Sequence, residues 1–251
     1  MRIGLIGAGN MASALARGLG EPALVADVDR DRAEALATAI GGRVAGSNRE
    51  AAEGADVVVL CHKPPQLATV AAEIRDHAPA VVSILGGVPV ASVEEAYPGL
   101  PVYRLMPNIP VEVRQGVVCY VPGTRAGDGP EAEIRALFGR LGTLVELPEP
   151  SIDAATAVMS CAPAFYALVV EALVDAGVAH GLEPDAAGLM AVEAMAGTAA
   201  VLREGANDTG DLRRRVTSPG GMTERGLAAL EGGGVRAAFE DAVTAVVGGG
   251  R

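Results

Sequence analysis

The chain has 251 residues and a formal net charge of −11, and half of its side chains are apolar. The negative charge argues against a nucleic-acid groove or an anionic membrane surface as the partner. Aromatic residues make up 3% and tryptophan is absent, so alanine, valine, leucine and isoleucine must build the core. We expect no membrane span, because no run approaches the apolar length that a span needs, and no signal peptide.

The cysteine and histidine residues indicate neither a disulfide framework nor a metal site. The three cysteines form no CxxC pair, which favours reduced thiols in a cytoplasmic protein. The three histidines lack the spacing of metal ligands. Lys63 is the only lysine among the 20 basic residues, which suggests a position that needs a compact ammonium.

The first 149 residues alternate between short apolar runs and helical patterns. Strands are predicted at "RIGLIGAG", "ALVAD", "ADVVVLC", "AVVSIL", "PVYRLMPN", "GVVCYVP" and "TLVEL". Helices are predicted between them at "NMASALARGLG", "DRDRAEALATAIGG", "PQLATVAAEIRDH", "VASVEEAYP" and "PEAEIRALFGRLG". This alternation predicts an α/β domain with a doubly wound, mostly parallel sheet over residues 1–149.

Residues 150–251 carry only helical patterns, which predicts a second, all-helical domain. The segment Ala162 to Leu182 is apolar on most faces and needs cover on both sides. We expect another subunit to supply that cover, which makes the protein at least a dimer. Cover by the first domain is the alternative.

A glycine-rich turn follows the first strand directly. Gly7, Gly9 and Ala12 spell G-x-G-x-x-A between a strand and a helix. The first glycine permits the tight turn, the second lets a diphosphate approach the backbone, and the small third residue lets helix and strand pack closely. The positive helix end would hold the diphosphate, so we predict dinucleotide binding.

Asp27 ends the second predicted strand, 18 residues after Gly9. A carboxylate there would accept hydrogen bonds from the adenosine ribose and would repel a 2′-phosphate, which favours NADH. Arg30 and Arg32 follow closely and could instead bind a 2′-phosphate. A third alternative is that Asp27 or Asp29 only caps the next helix.

Three further turns follow predicted strand ends and are expected to face one crevice. They contain His62, Lys63 and Pro64, then Gly86, and then Asn108. We predict that they form the nicotinamide pocket. The alternatives are a solvated surface charge for Lys63 and a turn residue before Pro110 for Asn108.

Over nearly its full length the chain resembles the pyrroline-5-carboxylate reductases. The resemblance rests on "GAGNMASAL", "NREA", "HKP", "RLMPNIP", "EALVDAGVAHGL" and "SPGGMT". It implies a Rossmann-like domain followed by a helical dimerisation domain, assembly into homodimers or rings of dimers, and NADH or NADPH as cofactor. The implied reaction reduces the cyclic imine 1-pyrroline-5-carboxylate to L-proline in proline biosynthesis.

The resemblance also implies roles for individual residues. Asn10 and Met11 would hold the diphosphate, Asn48 would contact the nucleotide, and Lys63 would lie at the cofactor crevice. The substrate loop would comprise Ser218, Gly220, Gly221, Met222 and Thr223. "MSCAPAF" departs from the family's usual S-G-S-G-P-A-Y before the long helix, and Met222 stands where the family usually has threonine or alanine.

The SPGG segment can seat the substrate carboxylate at the start of a helix. The N–H groups of Gly220 and Gly221 have no Cβ in the way. The Thr223 hydroxyl, predicted one turn into the helix, could bond the imine nitrogen, and we assign Thr223 and Ser218 to catalysis. The alternative is a structural one, in which Ser218 is an N-cap and Pro219 the first helical residue.

Two alternative functions stay open at the level of sequence. One is reduction of a related cyclic imine acid in a secondary pathway, and the other is a non-catalytic regulator that binds the dinucleotide. A hydroxyacid dehydrogenase is disfavoured, because the segment Ala162 to Leu182 contains no lysine that could act in catalysis.

Overall fold

The computed structural model describes residues 1–205 and 207–248. The chain divides into two compact units, of which the first comprises Met1–Pro163 and the second begins at Ala164. The predicted boundary between residues 149 and 150 stays a prediction.

The first unit is built on one sheet of eight strands. The strands are β1 (Ile3–Ile6), β2 (Ala23–Ala26), β3 (Arg43–Val44), β4 (Val57–Leu60), β5 (Val81–Ser83), β6 (Val102–Pro107), β7 (Gly116–Pro122) and β8 (Gly142–Glu146). Their order is β3-β2-β1-β4-β5-β6-β7-β8, and every neighbouring pair is parallel except β6 and β7. The predicted doubly wound, mostly parallel sheet is confirmed, and its first six strands have the order of dinucleotide-binding folds.

The predicted helices of the first unit are present, together with two short helices that were not predicted. The helices are α1 (Asn10–Leu19), α2 (Arg30–Ala39), α3 (Asn48–Glu53), α4 (Leu67–Ile74), α5 (Val90–Ala96), α6 (Glu131–Gly139), α7 (Ile152–Ala155), α8 (Ala162–Ala179), α9 (Pro184–Glu204), α10 (Thr209–Arg215), α11 (Met222–Gly232) and α12 (Val235–Gly248). The two short helices that were not predicted are α3 and α7. Gly20 ends α1 in the left-handed conformation, as its position predicts. In the first unit two separate apolar clusters pack against the strands of the sheet.

A π turn, Thr156–Ser160, lies between α7 and α8. It packs with Met106 and Cys119 in a small apolar cluster to which Ile152 and Met159 contribute. Turns of this type are rare and often mark functional sites. Nothing in the sequence analysis predicted it.

The second unit contributes few of the buried side chains. Of the described residues from Ala164 onward, none is in a strand, as the helical pattern predicts. Large apolar side chains lie exposed along α8 and α9, among them Leu168 at 63% and Leu189 at 65%. Helices with this composition need further cover.

Two helical stretches are long and apolar enough to cross a membrane by length and composition. They are Glu149–Ala179, with a mean hydropathy of 1.9, and Pro184–Glu204, with 1.3. The expectation that no run reaches the length of a span is therefore wrong, because α7, the π turn and α8 continue into one another. One or two such helices are weak evidence for a membrane, since interface and core helices have the same composition.

Candidate functional site

A cleft of about 560 Å³ opens where the strand order reverses between β1 and β4. Open α/β sheets bind their ligands at this point, outside the carboxyl ends of the strands. The predicted cofactor residues that line the cleft are Gly7, Gly9, Asn10, Met11, Ala12, Asp27, Asn48, His62, Lys63, Pro64 and Gly86. The structure therefore brings together residues from five separate segments of the chain.

The glycine turn has the geometry that a diphosphate site needs. Gly7 has a φ of +105°, and a Cβ there would lie 2.6 Å from the backbone carbonyl of Cys61. A Cβ on Gly9 would meet no atom within 4 Å, so the second glycine leaves open space at the cleft. No side chain caps the N-terminus of α1 at Gly9, which leaves that helix end open to an anion.

Asp27 is bound to the glycine turn by its own carboxylate. Oδ2 accepts a hydrogen bond from the Ala8 N–H at 2.6 Å, and Oδ1 accepts one from the Asp29 N–H at 2.8 Å. Asp29, and not Asp27, caps α2 by accepting from the Arg32 N–H at 3.3 Å. Asp27 therefore lines the cleft and also holds the turn in place, a second contribution that the sequence did not indicate.

His62 lines the cleft, and one of its imidazole nitrogens is buried without a hydrogen-bond partner in the described part of the chain. Nδ1 lies 2.9 Å from the Lys63 carbonyl, and Nε2 is buried with no partner among the described residues. Burial lowers the pKa of His62 below its usual value, against a smaller opposing effect of the Lys63 carbonyl. A neutral ring that donates from Nδ1 leaves Nε2 as an acceptor without a donor in the part of the chain that this structure describes.

Lys63, the only lysine, is exposed at the rim of the cleft, at the end of the turn after β4. Its backbone N–H donates to Oε1 of Gln66 at 3.0 Å, and Gln66 also lines the cleft. Sequence reasoning missed Gln66, although its place in "KPPQL" after a buried strand was a usable signal.

Burial raises the pKa of the neighbouring Cys61 thiol to about 12, so this thiol stays protonated near neutral pH and is a poor nucleophile.

The side chain of Asn48, the first residue of α3, is held by a contact with α4. Its Nδ2 donates to Oε2 of Glu73 at 2.7 Å, while the residue lines the cleft. Arg32 also lines the cleft, and its guanidinium pairs with the exposed Asp29 at 3.2 Å. Arg30 pairs with Glu34 instead and is not among the lining residues. Of the two arginines, only Arg32 lines the cleft.

Asn108 is placed differently from the other predicted cofactor residues. It is buried, and it is not among the residues that line the cleft. Its side-chain amide bonds two backbone groups of the first unit, the Met159 carbonyl and the Val117 N–H. Its contact with the cofactor stays a prediction.

The SPGG segment forms a turn before a helix, and the helix begins later than predicted. Gly221 is the N-cap of α11 and carries no side-chain cap, while the Gly221 N–H donates to the Ser218 carbonyl at 2.9 Å. The alternative in which Ser218 is the N-cap and Pro219 the first helical residue is therefore wrong, because the chain is still turning there. Thr223 is exposed and is the second helical residue, not one turn in.

The predicted binding site for the substrate carboxylate is already occupied by a carboxylate of the same chain. The Gly220 N–H, at a residue with a φ of +69°, donates to Oε2 of Glu224 at 2.5 Å. The Arg225 guanidinium donates to the Gly220 carbonyl at 2.9 Å. A Cβ on Gly221 would lie 2.8 Å from the Ser218 backbone carbonyl oxygen, so a larger residue there would shift the backbone of the turn.

These features define a class of protein. The sheet order, the glycine turn, the uncapped helix end and the cleft at the strand reversal together define a dinucleotide-binding protein of the oxidoreductase type. Among the described residues, no group of three or more metal-ligating side chains is placed to hold a metal ion.

Comparisons with known proteins identify the family. The domain model for pyrroline-5-carboxylate reductase dimerisation matches residues 149–249, and that for NADP oxidoreductases dependent on coenzyme F420 matches residues 2–87. A pyrroline-5-carboxylate reductase of Synechocystis is 35% identical over 98% of this chain and 95% of its own length. One of Mycobacterium tuberculosis is 37% identical over 97% of this chain and 94% of its own length. The chain belongs to the pyrroline-5-carboxylate reductase family.

Solved structures of the same family have the same fold. The enzyme of Plasmodium falciparum, solved with NADP bound, covers 100% of this chain and 97% of its own, with 26% identity and a TM-score of 0.88. The Coxiella burnetii enzyme covers 99% and 96%, with 30% identity and a TM-score of 0.88. The sequence resemblance is thus confirmed.

Proposed function

We propose that this protein reduces 1-pyrroline-5-carboxylate to L-proline with NADH or NADPH, as an oxidoreductase acting on a CH–NH group in proline biosynthesis. The observation that carries the proposal is the convergence of the predicted cofactor residues on one cleft in a chain of this family. The reduced nicotinamide supplies the hydride when it is bound.

The residues of the cleft suit a reduced dinucleotide. The open space at Gly9 and the uncapped start of α1 would hold the diphosphate. Asp27 and Arg32 would face the adenosine ribose, and the turn that contains His62 and Lys63 would lie at the nicotinamide side. Gly86 follows β5 at the same edge, and a Cβ there would meet nothing within 4 Å.

We place the substrate at Ser218, Gly220, Gly221, Met222 and Thr223. The imine carries a carboxylate, for which the N–H groups before α11 are suitable donors. The substrate carboxylate would displace Glu224 from the Gly220 N–H. An imine that enters protonated needs no proton in the hydride-transfer step, so Thr223 and Ser218 would act by positioning it.

The second domain, residues 150–251, would serve dimerisation and substrate binding. The matched dimerisation domain supports oligomer formation, and we propose a homodimer or a ring of dimers. A second copy of the chain would cover the exposed leucines of α8 and α9. We propose a cytoplasmic location without a nucleic-acid or membrane partner, supported by the net charge of −11 and three free cysteines.

The test compares two cyclic imines side by side. NADH and NADPH oxidation would be followed with 1-pyrroline-5-carboxylate and with its six-membered homologue. We expect faster turnover of the five-membered ring. Preference for the six-membered ring would favour a related imine acid as the substrate, and binding of NADH without turnover of either imine would indicate a regulator.

A further inference from the structure

Asn108 connects three backbone segments just beyond the carboxyl end of β6. It follows β6, and its side chain is 7% exposed. Its Oδ1 accepts a hydrogen bond from the Val117 N–H at 2.8 Å, which ties it to β7. Its Nδ2 donates to the Met159 carbonyl in the π turn at 3.0 Å. Both polar ends of the amide are therefore used inside the protein.

The Met159 carbonyl cannot accept the usual α-helical hydrogen bond because of the local sequence. In an α-helix it would accept a hydrogen bond from the residue four positions later, which is Pro163. Proline has no N–H, so that partner is missing. Met159 is 9% exposed, and an unpaired carbonyl in such a place is costly. The Asn108 amide provides this carbonyl with a donor from another part of the first unit.

The hydrogen bond between Asn108 and Met159 lies between the strand next to the cleft-lining segment and the start of α8. β6 runs parallel to β5, with Arg104 opposite Ser83, and the residues after β5 line the cleft. The π turn is the last turn before α8, and the first unit ends at Pro163. Every residue that we assign to the substrate lies further along the chain.

We propose that Asn108 is a positioning residue for the reduction: its amide fixes the π turn and thereby the point at which the chain leaves the nucleotide-binding unit. The inference rests on the proposed function, because it concerns how well the imine is presented to the cofactor. It assigns Asn108 no contact with the dinucleotide. Loss of the bond should therefore lower kcat and leave dinucleotide affinity unchanged.

The Asn108→Asp variant removes one of the two side-chain bonds and keeps the other. The carboxylate still accepts from the Val117 N–H, but its second oxygen faces the Met159 carbonyl oxygen. Burial and that carbonyl should raise the pKa of the introduced carboxyl, and its protonated form can donate where the amide did. The kcat of the variant should be about tenfold below wild type at pH 8, as expected for a buried group left unpaired, and should recover towards wild type as the pH falls.

Stability gives a second readout that does not depend on activity. Because the folded-state pKa of the introduced carboxyl is raised above its unfolded value, the variant should be closest to wild type below about pH 4. It should lose stability relative to wild type as the pH rises through the raised pKa. Denaturant unfolding of both proteins across this range measures the effect even if no imine is turned over.

Thr156→Val is the matched control. It removes the hydrogen bond from the Thr156 hydroxyl to the Ile152 carbonyl, 2.7 Å long, at the start of the same π turn, and leaves the Met159 carbonyl untouched. We expect wild-type kcat for this variant and unchanged NADH affinity, measured by calorimetry, for both variants.

A selective loss of NADH affinity in Asn108→Asp would overturn the proposal in favour of direct cofactor contact. A pH-independent loss of kcat, or equal losses in both variants, would also overturn it. If wild type turns over no imine, the proposed function fails, while the unfolding data still test the bond.

Discussion

Asp27 combines two contributions at the adenosine end of the cleft. Its carboxylate lines the cleft, where we propose that the ribose binds, and accepts a hydrogen bond from the Ala8 N–H of the glycine turn. Only the first contribution depends on which cofactor is bound, because a 2′-phosphate is repelled by the negative charge. The two contributions can therefore be separated by a substitution that removes the charge and keeps an acceptor.

We expect Asp27→Asn to raise the ratio of kcat/KM for NADPH over NADH by about tenfold, which corresponds to roughly 1.4 kcal/mol. The amide oxygen can still accept from the Ala8 N–H, which should keep the glycine turn, while the bond from the Asp29 N–H is lost because the amide NH2 cannot accept. Steady-state kinetics with both cofactors measure the ratio, and Arg32→Ala should shift it in the opposite direction. A wild-type preference for NADPH above about tenfold would show that Arg32 outweighs the carboxylate.

Thr223 is the residue that we expect to orient the imine nitrogen. Thr223→Val removes the hydroxyl at almost constant volume, and Thr223→Ala removes a methyl group as well. One neutral hydrogen bond contributes about 0.5–1.5 kcal/mol, so both variants should lose about two- to tenfold in turnover with unchanged nicotinamide affinity. Full activity of Thr223→Val alone would mean that the residue only packs, and full activity of both would remove Thr223 from the site.

At the scale of elements, the glycine turn between β1 and α1 offers a matched pair of substitutions. We expect Gly7→Ala to destabilise the fold by about 2 kcal/mol or more, because φ is +105° and the Cβ meets the Cys61 backbone. Gly9→Ala should fold normally, since φ is −73° and the Cβ meets nothing within 4 Å. Thermal unfolding distinguishes the two variants.

NADH affinity should also distinguish these two variants, and here Gly9→Ala, the stable variant, is the one expected to be impaired. The new methyl group of Gly9→Ala projects where a diphosphate would approach, so its NADH affinity should fall by about tenfold or more. Calorimetric titration with NADH measures this loss. Unchanged affinity in Gly9→Ala would place the diphosphate elsewhere.

Most helices and strands could be predicted because they have a strong local sequence pattern. Elements with a weak pattern, or whose pairing depends on distant residues, could not. Buried runs such as Val57–Leu60 and the glycine turn need no distant partner to be recognised. The two-residue strand β3 is too short to show any periodicity. The antiparallel pairing of β6 with β7 leaves the same apolar pattern as a parallel pair.

The same distinction applies to the candidate site. Residues directly after strand ends were predictable, because parallel strands deliver them to one edge. The contact of Asn108 with Met159 spans 51 positions and could not be derived from local pattern. The start of α11 was misplaced because proline and glycine signal a turn and a helix start equally well.

At the scale of the whole molecule, the exposed apolar side chains of α8 and α9 predict an oligomer. Light scattering at micromolar concentration should give at least twice the chain mass of 25.3 kDa. Leu168→Glu should weaken the assembly. A leucine that becomes buried at a subunit interface contributes about 1.5–3 kcal/mol to the free energy of association. Val113→Glu is the control, since Val113 is also exposed, at 68%, but lies outside the matched dimerisation segment. A wild-type monomer would contradict the proposed interface.

Product analysis measures directly whether this chain makes L-proline from 1-pyrroline-5-carboxylate. Purified protein, the imine and NADH or NADPH would be incubated, and L-proline would be quantified by chiral chromatography beside the loss of nicotinamide absorbance. The proposed function predicts one L-proline formed for each reduced cofactor oxidised, with both signals greatly reduced in Gly9→Ala at limiting cofactor. Oxidation of cofactor without L-proline, or no oxidation although NADH binds, would contradict it.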